Sequence, residues 1–330
     1  MMRAIQVHKA GGPTVLQLAS NVAVPKATGT KVLINVKAAG INPVDTYIRE
    51  GAFGYTPPLP YTPGKDGAGI VEAVGEAVHN FKKGDRVFFS NRCRENTHGS
   101  YAQYCLVDTG DTWPLPERLT FQQGAALGIP YLTAYRALVL KAGAQEGETV
   151  LVHGASGSVG IATLQIAKSL VHAKVIGTAG TSEGIELVKK LGADCAVCHK
   201  DKDYLKKIME WTENKGVNVV VEMLANVNLA KDLGLLCREG RVVVIGSRGT
   251  ITINPRDLMG LETTITGVSL FSSTPRQWAQ SAAAIVDGAR AGWVDPVVNK
   301  VYPLGDAKQA HNDITHSKGA HGRLVLDPDA

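Results

Sequence analysis

Along the first third of the chain, apolar residues fall into short β-type runs broken by glycine and proline, at residues 32–36, 69–74, 86–89 and 101–107. The opening residues, Met1 to Lys9, alternate as a strand would. These runs predict a mostly β domain over residues 1–124. Residues 76–85 make a polar, glycine-containing connection between two of the strands. The stretch 57–64 holds too many prolines for a regular element and reads as a shaped loop.

From about Phe121 the period lengthens. A helical segment is expected over 124–140. Short β-branched runs at 149–153, 174–177, 194–197, 218–223 and 241–245 then alternate with helical patterns at 160–170, 184–191 and 204–212. Such alternation is the mark of βαβ units, so residues 125–296 are expected to form an α/β domain with a doubly wound parallel sheet. After a helix over 277–291, the run 323–326 reads as a strand, and residues 297–330 as a return to the first domain.

A chain of 330 residues, 44% hydrophobic, is long enough for two packed domains, and no apolar run reaches the roughly 18 residues of a membrane span. The N-terminus lacks the apolar segment of a signal peptide. The five cysteines are an odd number spread over the chain, which suits reduced thiols. A cytoplasmic protein without a membrane role is therefore expected. The net charge of +5 comes from dispersed lysines and arginines, and dispersed charge does not by itself indicate nucleic-acid binding.

The expected strand at 149–153 runs directly into Gly154-Ala-Ser-Gly-Ser-Val-Gly160 and then a helix, which is the setting of a dinucleotide fingerprint in a Rossmann sheet. Gly157 would let the backbone approach the pyrophosphate. Gly160 would let helix and strand pack closely, and the helix N-terminus offers free N–H groups. Ala155 departs from the G-x-G-x-x-G pattern. About 20 residues further on, NAD-preferring sites present an acid to the ribose 2′-hydroxyl. Residues 175–182 carry none at the strand end, which favours NADPH; Glu183 lies close by and argues the other way, and His199, Lys200 and Lys318 are candidate cations for a 2′-phosphate.

The segments 42–49, 128–138, 152–157, 222–228 and 246–250 together resemble the zeta-crystallin family, zinc-free NADPH:quinone reductases of the medium-chain dehydrogenase/reductase superfamily. The resemblance spans nearly the whole chain. It implies a GroES-like catalytic domain joined to a Rossmann domain, a homotetramer, and reduction of quinones, ortho-quinones preferred, by one-electron transfer. It further implies cofactor contacts from Tyr47, Ser156, Gly157, Ser158, Val159, Gly180, His199, Asn228, Ile245, Gly246, Ser247, Arg248, Val268, Ser269 and Leu270. Gly160, Thr133 and Lys318 complete the expected set, with Thr133 on the helix linking the domains. Ser158 stands where the family often has glycine, and the loop 93–98 is longer than usual.

Related alcohol dehydrogenases hold a catalytic zinc with Cys, His and carboxylate groups of the first domain. The stretches 40–43 and 64–67 here carry neither Cys nor His, and no set of four close cysteines is present, so no metal is expected. Without zinc, the acceptor must be activated by hydrogen bonds and placement, for which Asn42 and Tyr47 are the candidate catalytic residues. Cys195 and Cys198 read as a buried structural pair rather than a metal or redox site. His311, His316 and His321 read as surface or helix-end residues. Residues 268–271 follow a β run that would pair either across a dimer edge or within the sheet. The competing readings are an alkenal or enone reductase, and a lens structural or AU-rich RNA-binding protein, the latter supported only by net charge.

Overall fold

The computed structural model describes residues 1–54, 57–92, 97–316 and 319–330. In chain order its strands are β1 (Met2–Gln6), β2 (Gln17–Val22), β3 (Lys31–Gly40), β4 (Asp66–Val74), β5 (Arg86–Ser90), β6 (Tyr104–Asp108), β7 (Thr112–Pro114), β8 (Thr149–Val152), β9 (Lys174–Ala179), β10 (Cys195–Cys198), β11 (Val217–Glu222), β12 (Leu236–Val244), β13 (Thr264–Gly267), β14 (Val298–Pro303) and β15 (Arg323–Asp327). The helices are α1 (Pro43–Glu50), α2 (Phe121–Gly124), α3 (Gly128–Tyr135, prolonged as a π-helix to Lys141), α4 (Ser158–Ile166), α5 (Ser182–Lys190), α6 (Tyr204–Trp211), α7 (Ala225–Asp232), α8 (Arg256–Met259), α9 (Pro275–Ala291) and α10 (Ala307–His316).

By its internal contacts the chain forms two compact units, Met1–Ile129 with Ala282–Ser317 and Arg323–Ala330, and Pro130–Ser281 with Lys318–Gly322. Residues 282–296, grouped with the nucleotide domain by sequence pattern, thus belong to the first unit. The reason is local: Ala282, Ile285, Val286 and Ala289 are buried along α9, and Arg118 donates to the carbonyls of Ala289 and Val294 at 2.9 and 3.0 Å.

In the first unit β1 pairs with β2, and a seven-stranded sheet runs β14-β15-β3-β4-β5-β7 with β6 added against β3. The return strand expected at 323–326 is β15, antiparallel to β3 and parallel to β14. Val32, Ile34 and Val36 of β3 pack with Val71, Val87, Phe89 and Val107 in its core. His311 lies in this core as well, fully buried in mid-α10, with Nδ1 facing Arg49 at 2.8 Å and Nε2 facing the Tyr101 hydroxyl at 3.1 Å. The surface or helix-end assignment is therefore wrong for His311. Its side chain follows Ala307 and Ala310 inward on the helix, and two polar partners make burial tolerable. His316 ends α10 as expected.

The second unit is a six-stranded parallel sheet, β10-β9-β8-β11-β12-β13, whose order reverses between β8 and β11. Its strands bury Leu151, Ile176, Val220 and Val242, the near-continuous β-branched pattern of a sheet covered on both faces. Cys195 and Cys198 sit on the outermost strand β10 and are only half-buried, which corrects the buried-pair reading. An edge strand has one side open, and residues three apart point to opposite faces. No helix among the described residues is long and apolar enough to cross a membrane.

Candidate functional site

At the end of β8 the chain turns through His153 and Gly154, the latter at φ 58°, and re-enters a helix at Ser158. The turn is pinned by backbone bonds, Ala155 N–H to Thr178 O at 2.8 Å and Gly157 N–H to Gly154 O at 2.9 Å. Gly157 is the N-cap of α4 and no side chain caps that end, so the first-turn N–H groups remain for an anion. A Cβ on Gly160 would stand 2.3 Å from Gly154 O and 2.6 Å from Ala155 Cα, so only glycine lets α4 lie this close to the turn. A Cβ on Gly157 would meet the Ala320 Cβ at 3.2 Å.

That last contact was invisible in the sequence. Residues 319–322 lie along the turn: Ser156 Oγ donates to Ala320 O at 2.6 Å, Gly322 N–H to Ser156 O at 2.8 Å, and Ser158 Oγ to Gly322 O at 3.1 Å. The two turn serines thus tie the Gly154–Gly160 turn to a segment more than 160 residues away, for which periodicity gives no signal.

The other candidates on this unit follow the carboxyl ends of neighbouring strands. At the end of β9, a Cβ on Gly180 would fall 2.8 Å from His199 Nε2 and 3.3 Å from Lys200 Cε, so the missing side chain makes room for an imidazole, whose pKa burial pushes down, and for a lysine. Thr181 caps α5 by accepting from Gly184 N–H, and Glu183 is exposed on the first turn of that helix. Asn228 lies on α7 after β11. Beyond β12, Ile245 N–H donates to Glu222 O at 2.8 Å, Gly246 O accepts from Ala225 N–H, and Arg248 N–H donates to Asn226 Oδ1 at 2.9 Å; Ser247 is exposed beside them. Val268, bonded through its N–H to Val244 O, leads from β13 into Ser269 and Leu270. Thr133 is buried within α3. Lys318 and residues 93–96 of the loop 93–98 lie outside the described residues.

Sequence reasoning also missed a buried cluster at the strand-order reversal. His153, following β8, places Nε2 2.9 Å from Asp232 Oδ1 and 3.6 Å from Glu222 Oε2, and all three side chains are enclosed. Glu222 Oε1 accepts from Leu224 N–H and from Asn228 Nδ2. His153 Nδ1 faces Thr178 Oγ1 at 3.4 Å, and that hydroxyl accepts from Gly154 N–H at 3.2 Å.

In the first unit, Asn42 is the N-cap of α1 and is buried. Its Nδ2 donates to Asp66 at 3.0 Å and its Oδ1 accepts from Arg323 at 2.7 Å, while its N–H donates to Asp45. Arg323 in turn donates to Asp66 at 2.7 Å, and Asp66 also accepts from Ile129 N–H. Burial pushes Asp66 up, and Arg323, Ile129 and Asn42 oppose that rise. Tyr47 is half-buried on α1, edge-on to Phe53 at 5.3 Å between ring centres.

Compared with known proteins, residues 28–117 match the alcohol dehydrogenase GroES-like domain and residues 158–287 the zinc-binding dehydrogenase domain. A rat (Rattus norvegicus) quinone oxidoreductase is 54% identical over 327 residues, 99% of this chain and 98% of its own. The chain belongs to the quinone oxidoreductase family. This is the family that its motifs resembled, and the α/β sheet with a GroES-like domain is the fold expected of it. Among solved structures, Escherichia coli quinone oxidoreductase complexed with NADPH superposes with a TM-score of 0.86 at 31% identity, covering 99% of this chain and 100% of that one. An NAD-dependent alcohol dehydrogenase gives 0.90 at 30%, covering 99% of each chain. In this member of the quinone oxidoreductase family, zinc does not fit beside Asn42 and Asp66, because the Arg323 guanidinium bridges the two and already supplies the positive charge.

Proposed function

We propose that the chain is an NADPH-dependent quinone reductase that works without zinc. The observation that carries this reading is the uncapped start of α4 behind the Gly154 turn, at the strand-order reversal of a parallel sheet, joined to an acid-free β9 end where His199 and Lys200 converge on Gly180. The N–H groups of residues 158–160 would hold the pyrophosphate, and His199 and Lys200 the 2′-phosphate. Asn228, residues 245–248 and residues 268–270 follow strand ends of the same edge. When bound, NADPH supplies the reducing equivalents. A quinone is a good electron acceptor already, so hydrogen bonding and placement suffice for it. Tyr47 is the candidate donor to the acceptor; Asn42, whose amide already bonds Asp66 and Arg323, supports it by fixing the start of α1.

The test is fluorescence titration with NADPH and NADH, followed by turnover with a quinone panel and an alkenal. Tighter NADPH binding and faster quinone turnover are expected; tighter NADH binding would overturn the cofactor assignment, and faster alkenal turnover the acceptor. Lys200→Ala is expected to weaken NADPH by about five- to tenfold while leaving NADH unchanged, the size of one phosphate-directed charge-assisted bond. Equal losses for both cofactors would remove Lys200 from the 2′-phosphate site.

A cytoplasmic setting is part of the proposal, supported by free thiols at all four described cysteines. So is a homotetramer, supported by the open edges that β10 and β13 leave on the six-stranded sheet; light scattering tests it.

A further inference from the structure

The buried cluster of His153, Glu222 and Asp232 occupies the point where strand order reverses, beneath the place where doubly wound sheets take their ligands. One arm runs through His153 Nδ1 and Thr178 Oγ1 to the Gly154 N–H that opens the phosphate turn. The other runs through Glu222 Oε1 to Leu224 N–H and the Asn228 side chain. Two oxygens of the cluster, Glu222 Oε2 and Asp232 Oδ2, are buried without a hydrogen-bond partner, Glu222 Oε2 lying 3.6 Å from His153 Nε2. Two carboxylates sharing one histidine in an enclosed site, each with one oxygen lacking a donor, are costly, and one shared proton lowers that cost. On Glu222 Oε2 that proton would be donated to Asp232, leaving Oε1 to go on accepting from Leu224 and Asn228.

We infer that this cluster is a proton-binding positioning element for the dinucleotide, and that the proton it holds between Glu222 and Asp232 tightens binding. The inference rests on the dinucleotide reading above. Loss of the proton would add a negative charge under the loops that hold an anionic pyrophosphate and would leave two buried oxygens unpaired, loosening both arms. Burial, reinforced by the Asp232 charge and opposed by His153, pushes Glu222 up to about 7, so the change falls in an accessible range. Burial alone would lower His153, but the bond to Asp232 and the two carboxylate charges outweigh it and raise its affinity for a proton. The other groups facing the cluster are Tyr204 on α6, Lys231 on α7 and His199 after β10. Because the folded value for Glu222 lies above its ordinary 4.5, its contribution to folding stability is full at low pH and fades as pH rises through 7.

The experiment is titration with NADPH and NADH between pH 6 and 8.5, on the wild type and on Glu222→Gln, whose amide imitates the protonated acid. Wild-type affinity is expected to fall about three- to tenfold across this range, and that of Glu222→Gln to stay at the low-pH value. Calorimetry of the wild type with NADH in buffers of different ionisation enthalpy, where no 2′-phosphate titrates against His199, is expected to show proton uptake on binding near pH 7.5; it reads out even if the variant does not fold. Parallel pH profiles for variant and wild type, no proton uptake, or a stoichiometric divalent metal in the purified protein would each overturn the inference alone. Absence of dinucleotide binding at every pH would overturn the proposed function and this inference with it.

Discussion

Replacing Gly160 by valine is expected to weaken NADPH binding by about two orders of magnitude, the scale on which a misplacement of about 1 Å acts. The added Cβ would meet the Gly154 carbonyl and the Ala155 backbone, neither of which is the end of a flexible side chain. To make room, α4 must move off the turn, taking with it the first-turn N–H groups proposed to hold the pyrophosphate. Gly234→Ala is the control, since a Cβ there meets nothing within 4 Å. Titration of both variants with NADPH decides the matter: wild-type affinity in Gly160→Val would mean that α4 does not form the phosphate site.

Arg323→Leu is expected to cost about 3–5 kcal/mol, the usual penalty for removing one member of a buried ion pair. Arg323 and Asp66 are both enclosed, 2.7 Å apart, and Arg323 also holds the Asn42 amide. Without the guanidinium, Asp66 keeps Ile129 N–H and Asn42 as donors but loses its counter-charge. Adding Asp66→Asn should recover part of the loss, because the uncompensated charge disappears. Urea unfolding of the full chain followed at several probes gives the answer; an unchanged midpoint for the single variant would show that the pair carries no net stability.

Both effects arise where sequence reading and structure meet unevenly. Gly160 was legible because the turn is continuous in sequence, strand then glycines then helix, and each part has its own period. The empty β9 end was legible for the same reason, as were the six-stranded sheet and the returning β15, since apolar patterning states which face each element must bury. The Arg323 pair joins residues 257 apart and the Ser156 contact with Ala320 joins residues 164 apart. Nothing in local pattern selects such partners.

His311 shows the same limit from the opposite side. A histidine spaced five residues from the next reads as polar surface, and it becomes a core residue only because Arg49 and Tyr101 arrive from other elements to bond both ring nitrogens. The sequence by itself determined the two kinds of domain, the glycine turn between strand and helix, and the absence of Cys and His from residues 40–43 and 64–67, all of which depend on residue type and short-range spacing. Tertiary structure alone decided which polar groups are buried together: Arg323 between Asn42 and Asp66, and His153 between Glu222 and Asp232. Burial strengthens or penalises a charge according to what faces it, and what faces it is set by the packing of distant segments.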